Sequence, residues 1–196
     1  YQLYTTPFCA SPDKVFRSLD QHPYVRGGYV WSGWYYLGEP TPYYSSRSSY
    51  FGIIDLAGFK KDRFYLYQSR WRPEHPMVHI LPHWNWPDRL GKKTPVFVYT
   101  NGDSAELFLN GKSQGWQYKK PKSHESTERF RLMWKDVIYE PGELRVIAYK
   151  AGKIIGEKTL STSVMAKAIK LSPDRTTLKA DHEDISYVLL EAVDEK

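Results

Sequence analysis

The chain has 196 residues, of which 41% are apolar, 16% aromatic and 26% charged, with a mean hydropathy of −0.61. This composition excludes a disordered, collagenous or coiled-coil chain, and no apolar run approaches the ~18 residues that a membrane helix needs. The net charge of +6 is not gathered into a stripe, so a nucleic-acid partner is not expected; the densest basic run, Lys119-Lys120-Pro121-Lys122, reads as a solvated loop.

The aromatic residues thin out along the chain: 19 lie in residues 1–76, 11 in 77–163, and only Tyr187 in 164–196. Three unlike pieces explain such a gradient better than one domain. Cys9 is the single cysteine, so neither an internal disulfide nor a cysteine-based zinc site can form. A periplasmic or secreted location is expected, and a cytoplasmic one is compatible with the lone thiol.

In chain order, residues 12–21 read as a short helix, with Ser11 as N-cap and Pro12 in the first turn. Residues 24–31 read as a strand buried on both faces. Residues 32–50, rich in Gly, Pro, Ser and Tyr, form a long loop, and loops of that length inside a domain are usually functional. Residues 51–58 are nearly apolar, and Lys61 to Arg70 reads as a helix. Helix, strand, loop and helix make the pattern of an α/β unit.

After Pro76 the period changes to two. Met77–Leu81 and Val96–Tyr99 are strand candidates. Ser104–Asn110, Arg129–Lys135 and Glu143–Lys150 alternate, with Ala105, Leu107 and Leu109, then Phe130, Leu132 and Trp134, then Leu144, Val146 and Ala148 on single faces. Asn110-Gly111 and Ala151-Gly152 are hairpin turn signals, Pro141-Gly142 marks another turn, and Asn101-Gly102-Asp103 reads as a hairpin turn, not a calcium loop. Six or seven short strands point to an immunoglobulin-like sandwich. In residues 164–196, Ala168–Leu171, Thr176–Lys179 and Ile185–Val193 read as three strands, too few to close a sandwich. A chain opening on Tyr1 and closing on Glu195-Lys196 in mid-pattern reads as a piece cut at both ends.

Two blocks carry a specific resemblance. The first runs from Gly28 through Trp31-Ser32-Gly33, Tyr36-Leu37-Gly38-Glu39-Pro40-Thr41-Pro42-Tyr43, Ser46-Arg47, Phe51-Gly52, Asp55 and Gly58 to Tyr65-Leu66-Tyr67 and Trp71. It closely resembles the end of the catalytic (β/α)8 barrel in bacterial β-galactosidases of glycoside hydrolase family 2. The second holds His79-Ile80-Leu81-Pro82-His83-Trp84-Asn85-Trp86, Val98 to Asn101, Glu106 to Lys112 and Tyr139 to Gly142. It resembles the β-sandwich that follows the barrel in those enzymes. Ser172 to Arg175 and Lys179 to Asp181 resemble the opening of a further immunoglobulin-like domain.

The resemblance therefore implies a mainly β fold: an immunoglobulin-like β-sandwich (77–163), preceded by the last β/α unit of a (β/α)8 barrel (1–76) and followed by a partial second sandwich (164–196). It implies a retaining mechanism with two glutamates about 5 Å apart, both on barrel strands before the matched region. No catalytic residue is expected in this chain, whose glutamates match neither catalytic motif.

Four substrate-binding candidates remain. Trp31 stands where the family places its subsite tryptophan and offers an indole face to sugar C–H groups. Glu39 can accept from a sugar hydroxyl or pair with Arg47 to brace the loop. Tyr35 replaces the family's usual Asp, which puts exact galactose specificity in question. Arg47, in the same loop, faces substrate or braces the loop. His75, His79 and His83 recur every four residues, but Pro76 and Pro82 forbid the helix that would converge them on a metal, so neither metal nor cofactor is expected. The Trp84 and Trp86 pair reads as packing against the barrel in preference to an exposed sugar platform. The partners expected are a β-galactoside-like carbohydrate and the rest of the barrel; no membrane partner is expected, and a homo-oligomer is compatible. The rival reading is a non-catalytic sandwich that binds carbohydrate or protein.

Overall fold

The computed structural model describes residues 9–41 and 43–195. Helix α1 (Pro12–Gln21) starts as its sequence dictates. Ser11 sits in extended backbone, its hydroxyl accepts from the Lys14 N–H at 3.4 Å, and Pro12 opens the first turn. Helix α2 (Asp62–Trp71) carries Asp62 in its first turn and Arg70 in its last, both matched to the helix dipole. Between them, residues 24–31 form no strand. An extended backbone needs neighbours to take its N–H and C=O groups, and no strand pairs with this segment among the described residues; Tyr24, Tyr29 and Trp31 stand exposed on it.

Seven strands follow: β1 (Val78–Leu81), β2 (Val96–Thr100), β3 (Ser104–Leu109), β4 (Lys112–Tyr118), β5 (Leu132–Trp134), β6 (Glu143–Lys150) and β7 (Lys153–Ser161), with α3 (Ser126–Phe130) before β5. They make two antiparallel sheets, β1-β2-β5 and β4-β3-β6-β7. Ile80, Val96, Val98, Leu132 and Trp134 from the first sheet meet Ala105, Leu107, Leu109, Leu144, Val146 and Ala148 from the second in a closed core. The hairpins β3-β4 and β6-β7 turn on Asn110-Gly111 (φ 49° and 77°) and Ala151-Gly152 (φ 50° and 77°), the left-handed pair that a two-residue hairpin requires.

Four local readings change. Residues 101–103 join strands of different sheets, so they are a crossover, not a hairpin. Residues 126–130 are helical, and the strand read from Arg129 begins at Leu132. Thr176–Lys179 is irregular: only β8 (Ala168–Pro173) and β9 (Val188–Val193) pair, as a ribbon whose Ile169, Leu171, Val188 and Leu190 are exposed. Trp84 packs neither on a barrel nor at the surface. It is 1% exposed in the sandwich core against Tyr139, with its indole N–H donating to the Glu140 carbonyl at 3.0 Å.

The outer face of the three-stranded sheet is covered as well. Leu81, Tyr99 and Phe130 pack with Phe16 of α1 and Leu66 of α2, supported by Tyr65, Tyr67 and Phe97. The helices thus form a third layer on the sandwich. A buried ion pair ties it down: Arg131 donates from Nε to Asp13 Oδ1 at 2.8 Å, from Nη2 to Asp13 Oδ2, and from Nη1 to the Tyr99 hydroxyl at 3.2 Å.

The basic run is also less solvated than its composition suggests. Lys120 and Lys122 are exposed, but Lys119 reaches inward and donates to the Thr100 carbonyl at 2.5 Å. Burial, with Arg70 nearby, pushes its pKa down from 10.5 to about 8. The unfolded chain then binds more protons than the folded one between about pH 8 and 10.5, so stability rises with pH there, by at most about 1.4 kcal/mol per unit. Lys119→Met is expected to flatten that slope in urea unfolding followed across pH; an unchanged slope would show that another group sets it.

Candidate sugar-binding site

The long loop is built on a small backbone frame. Tyr36 and Ser49 exchange bonds: the Ser49 N–H donates to the Tyr36 carbonyl at 2.9 Å, and the Tyr36 N–H donates to Ser49 Oγ at 3.1 Å. The Gly38 N–H donates to the Arg47 carbonyl at 3.0 Å. Below this, the Tyr35 N–H donates to the Ile54 carbonyl at 2.9 Å, and the Ile54 N–H to the Gly33 carbonyl at 3.0 Å. Gly52 permits the approach: a Cβ there would lie 2.3 Å from the backbone of Trp34 and Tyr35. Asp55 closes the frame by accepting from the Ala57 and Phe59 N–H groups at 2.9 and 2.8 Å.

Two aromatic groups hang from this frame. In the first, Trp31 Nε1–H donates to the Tyr36 hydroxyl at 3.1 Å, and that hydroxyl donates to Glu39 Oε2 at 2.6 Å. The Trp31 and Tyr36 rings meet edge to face at 6.3 Å and 88°. Gly38 and Glu39 both take positive φ (86° and 44°), which turns the chain so that Glu39 comes back over Tyr36. The hydrogen bond to Glu39 holds the Tyr36 hydroxyl above its ordinary pKa of 10.

In the second group, Tyr35 packs edge-on against Tyr50 at 5.2 Å, and Tyr50 against Tyr43 at 5.2 Å. The Lys61 ammonium lies 4.5 Å over the Tyr35 ring and donates to the Tyr50 carbonyl at 3.2 Å.

Consecutive residues of an extended chain point to opposite sides, and Tyr35 and Tyr36 accordingly feed different groups. The structure therefore brings two of the four candidate residues together, Trp31 and Glu39, and places Tyr35 elsewhere. Glu39 makes no ion pair with Arg47 among the described residues; Tyr36 takes its place, while Arg47 is exposed and contributes its carbonyl to the frame. The partner that residue-by-residue reading passed over is Tyr36, which stands in the quoted motif. Its signal was its spacing of three from a glutamate across a glycine.

The histidines go to separate partners. His79 Nε2 lies 2.8 Å from Asp62 Oδ1 and stacks on Tyr65 at 3.8 Å, while His83 stacks on Trp86 at 4.2 Å. His75 pairs with Arg72.

Comparison with known proteins places the chain as a whole. A protein-family profile described as a domain of unknown function, DUF4982, matches residues 91–156, within the sandwich. Beta-galactosidase BoGH2A of Bacteroides ovatus is 41% identical over the whole chain, which spans 22% of that protein. A putative beta-glucuronidase of Formosa agariphila is 35% identical over 94% of the chain and 18% of its own length. Among solved structures, a beta-glycosidase from Bacteroides vulgatus matches the whole chain with a TM-score of 0.81 at 32% identity, over 24% of its length. A glycosyl hydrolase family 2 member from Bacteroides cellulosilyticus matches 93% of the chain with a TM-score of 0.76 at 31% identity, over 25% of its length. The chain is a glycoside hydrolase family 2 segment. It spans about a fifth to a quarter of the relatives it matches.

In this family 2 segment Tyr29, Tyr44, Tyr24 and Trp31, all before residue 50, are among the most exposed aromatics, with Tyr187 of the C-terminal ribbon region beside them in exposure. Trp31 is 74% exposed even though its indole N–H is satisfied, so the ring face is free while its edge is held.

Proposed function

We propose that the chain works as part of a retaining glycoside hydrolase that removes terminal β-linked, galactose-like sugars in carbohydrate breakdown. Residues 1–76 form the last portion of its (β/α)8 barrel, 77–163 an accessory sandwich, and 164–196 the start of a further immunoglobulin-like domain. The observation that carries this reading is the Trp31–Tyr36–Glu39 arrangement: an exposed indole face beside a carboxylate with acceptor capacity to spare, on a braced loop. Such a pair suits a pyranose, whose C–H face is apolar and whose rim is hydroxylated. The two catalytic glutamates, about 5 Å apart in a retaining enzyme, come from barrel strands outside this chain. Segment 24–31, which joins no sheet among the described residues, and the exposed aromatics around it are what the neighbouring strand and the sugar would cover. An exposed ribbon such as β8-β9 suits the opening of a further sheet domain.

The test uses the longer protein and the 196-residue chain side by side on p-nitrophenyl β-D-galactoside. The longer protein is expected to release nitrophenol with retention of anomeric configuration, and the chain alone to give none. Turnover by the chain alone would overturn the placement of the catalytic glutamates. A longer protein inactive on β-glycosides would overturn the function and favour a binding module built on the closed sandwich.

A further inference from the structure

We infer that Tyr36 is a positioning residue that joins Trp31 and Glu39 into one sugar-reading unit; the inference rests on the glycosidase reading above. A phenol has one proton and two acceptor lone pairs. Here the proton is committed to Glu39 Oε2 at 2.6 Å and one lone pair to the Trp31 N–H at 3.1 Å. The hydroxyl therefore has no proton left for a ligand and works through its two neighbours.

Each neighbour is left with one function. The indole, tied by its N–H, swings less about its side-chain bonds and keeps its face open. The carboxylate, held through Oε2, presents Oε1, which has no hydrogen-bond partner among the described residues. A carboxylate oxygen only accepts, so the unit selects a sugar hydroxyl that donates, next to a C–H face. A charge-assisted bond of that kind is stronger than a neutral one.

The geometry of Tyr36 suits this task. Its backbone is clamped from both sides by Ser49, which is fully buried. The side chain thus starts from a fixed point at the edge of an otherwise exposed loop. The positive φ values at Gly38 and Glu39 bring the glutamate back to the phenol three residues on. The bond to Glu39 also keeps the phenol protonated well into the alkaline range, so the unit does not come apart at neutral pH. Tyr35, one residue earlier, carries the same phenol but packs against Tyr50 under Lys61 and contacts neither member.

The experiment compares Tyr36→Phe, Glu39→Gln and the double variant of the longer protein on p-nitrophenyl β-D-galactoside. Tyr36→Phe keeps the ring and removes one oxygen, and a melting curve checks that it folds. KM is expected to rise about fivefold, the size of one net hydrogen bond, with kcat within about twofold. The double variant is expected to be no more than about twofold worse than Glu39→Gln alone, because both changes act on one contact. An unchanged KM in Tyr36→Phe, or KM increases that multiply in the double variant, would overturn the positioning role. A wild-type protein with no glycosidase activity would instead overturn the function and take this inference with it.

Discussion

Asp13→Ala is expected to lower the stability of the chain by about 3–5 kcal/mol, among the largest effects of any single change in it. The loss comes from what stays behind. The Arg131 side chain is 6% exposed and that of Asp13 is fully buried. Without its carboxylate, the guanidinium keeps only the Tyr99 hydroxyl at 3.2 Å and the face of that ring, 5.3 Å away. Burial alone would push the Arg131 pKa down; the bonds to Asp13 outweigh this and hold it up. Burial likewise lifts the Tyr99 phenol to about 12 in the intact pair. Urea unfolding measures the cost. The double change Asp13→Leu with Arg131→Met, which removes both charges, is expected to recover most of it. A loss under about 1 kcal/mol for Asp13→Ala would mean that water reaches the site and that the helical layer is looser than its packing implies.

Trp31→Ala in the longer protein is expected to reduce kcat/KM for a β-galactoside at least tenfold, about 1.4 kcal/mol of transition-state stabilisation. The indole offers an exposed apolar face joined to Glu39 through Tyr36, and alanine leaves no ring for the sugar's C–H groups to cover. Fold stability should hardly change, because Trp31 is 74% exposed in this chain. An unchanged kcat/KM together with a fall in melting temperature would assign Trp31 a packing role in the barrel instead. The two readouts separate these cases because a packing residue moves stability first.

Much of the sandwich is legible in the sequence. Ala105, Leu107 and Leu109 on β3, and Leu144, Val146 and Ala148 on β6, were read as single faces, and all are at most 5% exposed. Period-two alternation marks one buried and one open face, and β3 and β6 have that arrangement. The two glycine-bearing hairpin turns were equally plain, since few residues tolerate positive φ. Helix α1 announced itself through Ser11 and Pro12. These signals are local: each depends on residues within a few positions of one another.

The errors arose where the deciding partner lies far along the chain. Arg131 looked like the outward residue of an alternating strand, but Asp13, 118 residues earlier, buries it. Trp84 looked like an interface residue until Tyr139 and the Glu140 carbonyl enclosed it. Thr176–Lys179 and 24–31 have strand composition and, among the described residues, no strand beside them. Of the candidate site, Trp31 follows from the resemblance and Glu39 from its place in the loop, whereas the hydroxyl between them follows from neither. Nothing in composition says that a Gly38-Glu39 turn will deliver a carboxylate to a phenol.

By itself the sequence determined the alternating faces, the turns, the helix start and the family resemblance, because backbone sterics and side-chain period act over a few residues. Only the tertiary structure decided which strand joins which sheet, what covers the second face of β1-β2-β5, and that Tyr36 is the link between Trp31 and Glu39. Those outcomes depend on contacts between residues that chain distance leaves unrelated, and they are set by which arrangement buries apolar surface while leaving no buried charge or backbone group unpaired.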